Sequence, residues 1–364
     1  MKTQIFATFG PACGEEVVLK QMIEAGMTGM RLNLSHTMLP ASEGYIRGYQ
    51  NAAKEVGVLP QVLIDMQGPE LRVGDMKELA ELAEGEDVLL IADTDLALDE
   101  IVMLSGNSIL ADAKESDQPN TSTIPVPKEV IRALEKGDQI LLDDGRLLVQ
   151  VEELVEEKCI TAKVLRGGLL RSHKSVKIVG KDVQLPALTE HDIENIKCAK
   201  DYGVTALMQP FVRSAEDLKY VRHVLKEHDA ENVQIYAKIE NRAGVENLEC
   251  LLPEADVIII ARGDLGNDMP LWELPKVQKQ IEAVCKAHNK PYIVVTQMLS
   301  SMETSPVPTR AEVSDIFHAV YHGAWGVMIT GESAIGQYPV EAVKYLANTT
   351  REAERMVVDE RIAT

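Results

Sequence analysis

Eight times along this chain a run of four to six β-branched or aliphatic residues appears, usually followed by a longer amphipathic stretch. The runs are Gln4–Thr8, Gly29–Leu34, Gln61–Asp65, Ala206–Gln209, Gln234–Lys238, Val257–Ala261, Tyr292–Thr296 and Gly326–Thr330. Strands that are apolar throughout rather than alternating belong to parallel sheets covered on both faces. The intervening stretches read as helices: Glu15–Ala25 places Val18, Leu19, Met22 and Ile23 on one face and stops at Gly26, and Thr189–Tyr202 opens with a Thr-x-x-Asp cap. A charged helix over Val340–Asp359 closes the sequence. The expected fold class is α/β, a (β/α)8 TIM barrel, whose active site lies at the C-terminal ends of the strands.

One stretch breaks the rhythm. From about Asp75 to Gly180 the sequence turns acidic and then into short strands separated by Gly and Asp turns. Gln139–Leu142 and Arg146–Val151, joined by Asp143-Asp144-Gly145, read as a β-hairpin. The expected domains are therefore a barrel over 1–74 and 181–364 and an inserted β-rich, small β-barrel-like domain over 75–180, which follows a strand's C-terminal end and so can serve as a lid.

Charge excludes several partners. With 37 Lys and Arg against 57 Asp and Glu, the formal net charge of -20 repels phosphate backbones, so neither nucleic acid nor an anionic membrane is expected as a partner. The longest aliphatic stretches, such as Val257–Ala261, fall far short of the roughly 20 residues that span a bilayer. The N-terminus leads directly into a strand without an apolar leader, so the expected location is cytoplasmic. The five cysteines are odd in number and contain no Cys-x-x-Cys pair, which argues against a disulfide framework or a zinc site.

The polar residues at the strand ends are the candidates for chemistry. Glu240 and Asp264 follow neighbouring strands, so their carboxylates can converge on one hard divalent cation. Lys238 lies two residues before Glu240, on the same face of a strand. In a chain this acidic, solvated loop carboxylates are an equal reading; Lys238 shifts the balance toward a site, although a Lys238 that merely neutralises Glu240 stays open on spacing alone.

The motifs TFGPA (Thr8 to Ala12), RLNLSH (Arg31 to His36), DMQGPELR (Asp65 to Arg72), LPALTEHD (Leu185 to Asp192), KIEN (Lys238 to Asn241), ARGDLG (Ala261 to Gly266), TQMLSSM (Thr296 to Met302), PTRAEVSD (Pro308 to Asp315) and GESAIGQYP (Gly331 to Pro339) occur in this order. Together they resemble the pyruvate kinase family over almost the whole chain. The resemblance implies phosphoryl transfer from phosphoenolpyruvate to ADP, giving pyruvate and ATP, in glycolysis. It implies Glu240 and Asp264 as ligands of Mg2+ (or Mn2+), and Asn33, Ser35, Asp65 and the main-chain carbonyl of Met66 as ligands of K+. Glu70 resembles the potassium-dependent type. Lys238, Arg31 and Thr296 would be catalytic. Arg31, Thr296, Gly263 and Asp264 would bind the substrate, the last two through backbone N–H groups. His36, Arg72 and Lys174 would face the nucleotide.

The departures from the family cluster on the acceptor side. Met66-Gln67 stands where Thr-Lys is usual, Pro210 and Thr330 replace serines, Ile335 replaces a lysine, and Thr37-Met38-Leu39-Pro40 replaces a Gly-Thr with its nearby His and Tyr. The family's C-terminal domain would begin beyond this sequence, so activation by a sugar phosphate is not expected, while a homo-oligomer through barrel helices is compatible with the resemblance. Two other functions compete: a non-catalytic, regulatory paralogue that binds phosphoenolpyruvate or pyruvate, and a metal-dependent lyase acting on pyruvate enolate.

Overall fold

The computed structural model describes residues 3–35, 37–76, 78–93, 122–143, 145–156, 159–181, 183 and 185–363. Strands β1 (Gln4–Thr8), β2 (Gly29–Asn33) and β3 (Gln61–Asp65) come first. Among the described residues of the insert, eight strands follow: β4 (Ala80–Leu82), β5 (Asp87–Ala92), β6 (Ser122–Val126), β7 (Gln139–Leu142), β8 (Leu147–Glu156), β9 (Cys159–Arg166), β10 (Gly168–Leu170) and β11 (Val176–Ile178). Then come β12 (Ala206–Gln209), β13 (Gln234–Ile239), β14 (Val257–Ala261), β15 (Tyr292–Val295) and β16 (Gly326–Met328). Strands β1, β2, β3 and β12 to β16 close, in that order and all parallel, into one barrel. The α/β barrel read from the alternation is the fold.

Period-two alternation separates two cores. Phe6, Leu63, Met208, Tyr236, Ile259, Ile293 and Met328 fill the barrel interior, while the residues between them, such as Ile5, Ile64, Leu207 and Ile258, join the layer under the helices. Gly29 belongs to the inner set because a Cβ there would sit 2.6 Å from the Phe6 ring. The main outer helices are Glu16–Ala25, Glu43–Val56, Glu190–Cys198, Ala215–Glu227, Leu274–Ala287, Arg310–Tyr321 and Pro339–Ala363. Capping boxes on Thr189, Ser214 and Thr309 start three of them, each satisfying backbone donors that the first turn leaves free. The helix expected over Thr189–Tyr202 ends at Cys198, because beyond it the bonds tighten to three-residue turns at Asp201 and Gly203, and Gly203 takes φ +68°.

The chain divides into two compact units, Met1–Pro69 with Pro186–Thr364, and Glu70–Leu185. In the second, a six-stranded sheet runs β11-β7-β8-β9-β5-β6 and a two-stranded ribbon pairs β10 with β4. Its own core gathers Val88, Leu90, Ile124, Ile140, Val149 and Ile160. The expected hairpin is β7 with β8, antiparallel from Leu142↔Leu147 outward. Pro125 is accommodated because β6 lies at a sheet edge, where a missing N–H disrupts no ladder. Among the described residues no helix is long and apolar enough to cross a membrane.

Candidate active site

The inner layer of the barrel sets the outer one. Two residues beyond Phe6, Gly29, Leu63 and Tyr236, on the same strand faces, stand Thr8, Arg31, Asp65 and Lys238. Four side chains at the ends of β1, β2, β3 and β13 therefore project into one mouth. Asp65 is the hub: it accepts from Arg31 Nε at 2.8 Å, lies 2.7 Å from Arg31 Nη2, and meets Lys238 Nζ at 3.2 and 3.3 Å. Lys238 Nζ also lies 2.9 Å from Glu240 Oε1, and Glu240 Oε2 accepts the Phe211 N–H at 2.8 Å. Arg31 Nη1 donates to the Thr8 hydroxyl at 3.1 Å.

Burial makes these contacts strong. Asp65 and Glu240 are each 2% exposed, and the side chains of Arg31 and Lys238 14%. Burial opposes the charge of Asp65, but Lys238 and Arg31 outweigh it and hold the carboxyl below its ordinary range. Burial likewise opposes the charge of Lys238, and Asp65 with Glu240 outweighs it, so the ammonium lies above the usual lysine value. Glu240 goes the other way: burial pushes it up to about 8, with Lys238 pulling it down and Asp264 and Asp65 pushing further up. A buried carboxylate crowded by two others is short of positive charge, which fits a hard dication beside Asp264. Among the described residues no group of three or more His, Cys, Asp or Glu could hold a metal, so substrate and water oxygens would have to complete such a site.

A second arrangement lies at the ends of β14 and β15. Thr296 and Gln297 both take positive φ, +80° and +55°. For a β-branched residue this is a disfavoured conformation, costing on the order of 1–3 kcal/mol. The Thr296 carbonyl accepts from Arg262 Nε at 3.1 Å and Nη2 at 2.6 Å, and Arg262 Nη1 pairs with Asp315 at 2.6 Å. Leu299 N–H donates to the buried Glu332 at 3.0 Å. Gly263 leaves room for Thr296, since a Cβ there would lie 3.1 Å from its methyl group.

The pyruvate kinase barrel-domain model matches residues 1–343. The chain belongs to the pyruvate kinase family. It is 35% identical to a pyruvate kinase of Bacillus licheniformis over 99% of this chain and 58% of that protein. Against that of Geobacillus stearothermophilus it is 38% identical over 94% of this chain and 55% of that protein, and against that of Clostridium acetobutylicum 35% over 98% and 71%. The chain thus spans little more than half the length of the first two relatives.

The remaining family positions divide. Asn33 and Asp65 are registered neighbours on β2 and β3, and Asn33 Oδ1 accepts from the Ser35 N–H and hydroxyl at 3.1 and 2.9 Å. With the Met66 carbonyl next in sequence these are all oxygen donors, as a hard monovalent ion requires; Asp65 would share its oxygens with Arg31 and Lys238. His36 lies outside the described residues. In the inserted unit Arg72 is held by Glu70 at 2.6 Å and by the His173 carbonyl at 2.6 Å, and Lys174 pairs with the buried Asp143 at 2.7 Å.

The departures from the family pattern are well built into the fold. Gln67 and Gly68 donate their N–H groups to the two oxygens of the fully buried Asp192, at 2.8 and 3.0 Å, and the Thr189 hydroxyl donates to the Gln67 side chain at 3.2 Å. Gly68 (φ +64°) packs under the Pro210 ring, where a Cβ would approach Cγ to 2.3 Å. Thr330 donates its N–H to Glu332 at 2.7 Å, and Ile335 is 69% exposed. Sequence reasoning missed Thr8, Phe211, Asp192 and the Arg262–Asp315 pair. All but Phe211 lie within the nine motifs, but each acts through a backbone group or a supporting side chain, which no spacing rule singles out.

Proposed function

We propose that the chain transfers the phosphoryl group of phosphoenolpyruvate to ADP, yielding pyruvate and ATP. One observation carries the reading: in a member of this family, Arg31, Asp65, Lys238 and Glu240 are locked into one buried charge cluster at the barrel mouth. Glu240 and Asp264 would hold magnesium or manganese, which when bound supplies charge neutralisation at the substrate's carboxylate and phosphate oxygens. Asn33, Ser35, Asp65 and the Met66 carbonyl would hold potassium.

The side chains then act by position. Phosphoryl transfer asks little covalent chemistry of a protein and much fixed positive charge. Arg31, oriented by Asp65 and Thr8, presents a planar fork suited to phosphate oxygens. Lys238, held charged between Asp65 and Glu240, faces the transferring phosphoryl and then the enolate oxygen it leaves. Backbone N–H groups at Gly263 and Asp264 receive the substrate carboxylate, and Thr296 delivers a proton to the methylene carbon through water. Arg72 and Lys174 bind the nucleotide after exchanging their present carboxylate partners for phosphates.

The test is pyruvate formation from phosphoenolpyruvate with magnesium, with and without potassium, over a panel of nucleoside diphosphates. We expect turnover that needs both ions, and a loss of about 10²–10³-fold in Glu240→Gln. Phosphoenolpyruvate binding without turnover on any acceptor would favour a regulatory binding protein instead. Pyruvate-dependent C–C chemistry without nucleotide would favour a lyase.

A further inference from the structure

The turn after β15 is held in a conformation its own residues disfavour, and the group that holds it has no part in the reading above. Thr296 and Gln297 are both left-handed, and neither is glycine. A free turn of this composition would relax to a right-handed or extended backbone and carry the Thr296 side chain with it. Arg262 prevents this. Its Nε and Nη2 both donate to the Thr296 carbonyl, at 3.1 and 2.6 Å, and Nη2 also lies 3.0 Å from the Met298 sulfur. The third nitrogen, Nη1, is anchored on Asp315 at 2.6 Å, in the helix Arg310–Tyr321. The Arg262 side chain is only 14% exposed, so solvent screens these contacts little. All donors converge on one carbonyl and its anchor, a geometry that a rigid fork can satisfy and a single ammonium cannot.

On this evidence we propose that Arg262, anchored on Asp315, is a positioning residue that aims the Thr296 hydroxyl for the proton transfer completing the reaction. The proposal rests on the phosphotransferase reading given above. In that step the enolate oxygen's electron pair re-forms the C2=O bond. The C2–C3 π pair takes a proton from a water held by the Thr296 hydroxyl, and the hydroxide left behind is neutralised by a proton from solvent. Arg262 touches neither substrate nor water; it acts through the backbone of Thr296. Gly263 complements it from the other side, since the Thr296 methyl and hydroxyl occupy space within 3.1 and 3.6 Å of where a Cβ would be.

By microscopic reversibility, a protein that protonates the enolate also exchanges the methyl protons of pyruvate. The experiment measures that exchange in D2O by proton NMR, together with phosphoenolpyruvate affinity and phosphoryl transfer, for the wild-type chain, Arg262→Ala, Arg262→Lys, Asp315→Asn and Thr296→Ala. Arg262→Ala is expected to slow exchange about 10²-fold, as misplacement of a reacting group by about 1 Å does, with phosphoenolpyruvate affinity unchanged. Added guanidinium should restore part of the loss, and Arg262→Lys should fall between the two. Normal exchange in Arg262→Ala, or exchange and affinity falling together, overturns the proposal. If Arg262→Ala does not fold, Arg262→Lys and Asp315→Asn decide by the same criterion. A wild-type chain showing neither exchange nor turnover defeats the phosphotransferase reading, and this proposal with it; exchange in the wild type that Arg262→Ala retains defeats this proposal alone.

Discussion

At the ends of β2, β3 and β13 side chains are held by charge, whereas at the end of β15 a hydroxyl is held by its backbone. The first region needs four ionic side chains whose own interactions orient them. The second needs an arginine, a glycine and a strained turn, which together set the direction of the Thr296 hydroxyl. The difference predicts how each region fails. A charge cluster that loses one member leaves buried charge uncompensated, so function and stability fall together. A turn that loses a support relaxes to an easier conformation, so function falls while stability changes little.

The largest effect should come from Lys238→Met. Catalysis should fall by about 10³-fold, since the ammonium is the fixed charge nearest the transferring group in the proposed mechanism. Stability should fall by about 3 kcal/mol, near the lower end for breaking a buried pair, because Asp65 keeps Arg31 and Glu240 already holds a proton below about pH 8. Urea unfolding above pH 8 of Lys238→Met and of Lys238→Met with Glu240→Gln checks this: there the single variant must either bury a lone charge or bind a proton, and the double variant should be the more stable of the two. If it is not, the cluster is not held by charge balance and the contrast with the turn collapses.

That contrast also explains what could be read from the amino acids. The barrel was legible because each strand is a short apolar run, and all eight stand within two residues of their expected ends. The members of the charge cluster were legible only through the resemblance, because spacing alone left solvated carboxylates and a merely neutralising Lys238 open. Its hub was not: Asp65 was read as a potassium ligand, and its simultaneous grip on Arg31 from the neighbouring β2 and on Lys238 from across β12 is a property of closure rather than of spacing. The pairing of Arg262 with Asp315 was invisible for a further reason. The two lie 53 positions apart, and Arg262 uses its other nitrogens on the Thr296 carbonyl, in a turn whose conformation no residue type announces.

A smaller effect is expected from Gly263→Ala. The added methyl would meet the Thr296 methyl at 3.1 Å, closer than ordinary van der Waals contact, and Thr296 cannot retreat while Arg262 grips its carbonyl. Either the hydroxyl shifts by a few tenths of an ångström or the turn does. Turnover should drop by about tenfold, less than for outright misplacement. Because Gly263 is not in a left-handed conformation, the substitution carries no backbone penalty of its own, and the melting temperature should hold. A fall in melting temperature comparable with that of Lys238→Met would erase the distinction between the two regions.

The smallest effect separates the regions by pH, and its sign follows from Glu240. Burial raises this carboxyl from 4.5 to about 8 in the folded chain, so between those values the metal-free folded protein holds a proton that the unfolded chain releases. Its contribution to stability is complete below about 4.5 and is lost as pH rises through about 8. Metal and proton compete for the same oxygens, so adding magnesium near pH 7 should release close to one proton, which calorimetry in buffers of different ionisation enthalpy would count. Glu240→Gln should remove both the proton release and this part of the pH dependence. Arg262→Lys should leave both intact, because the turn contributes no titrating group to the mouth; a variant at Arg262 that altered proton release would mean that the two regions share one electrostatic network.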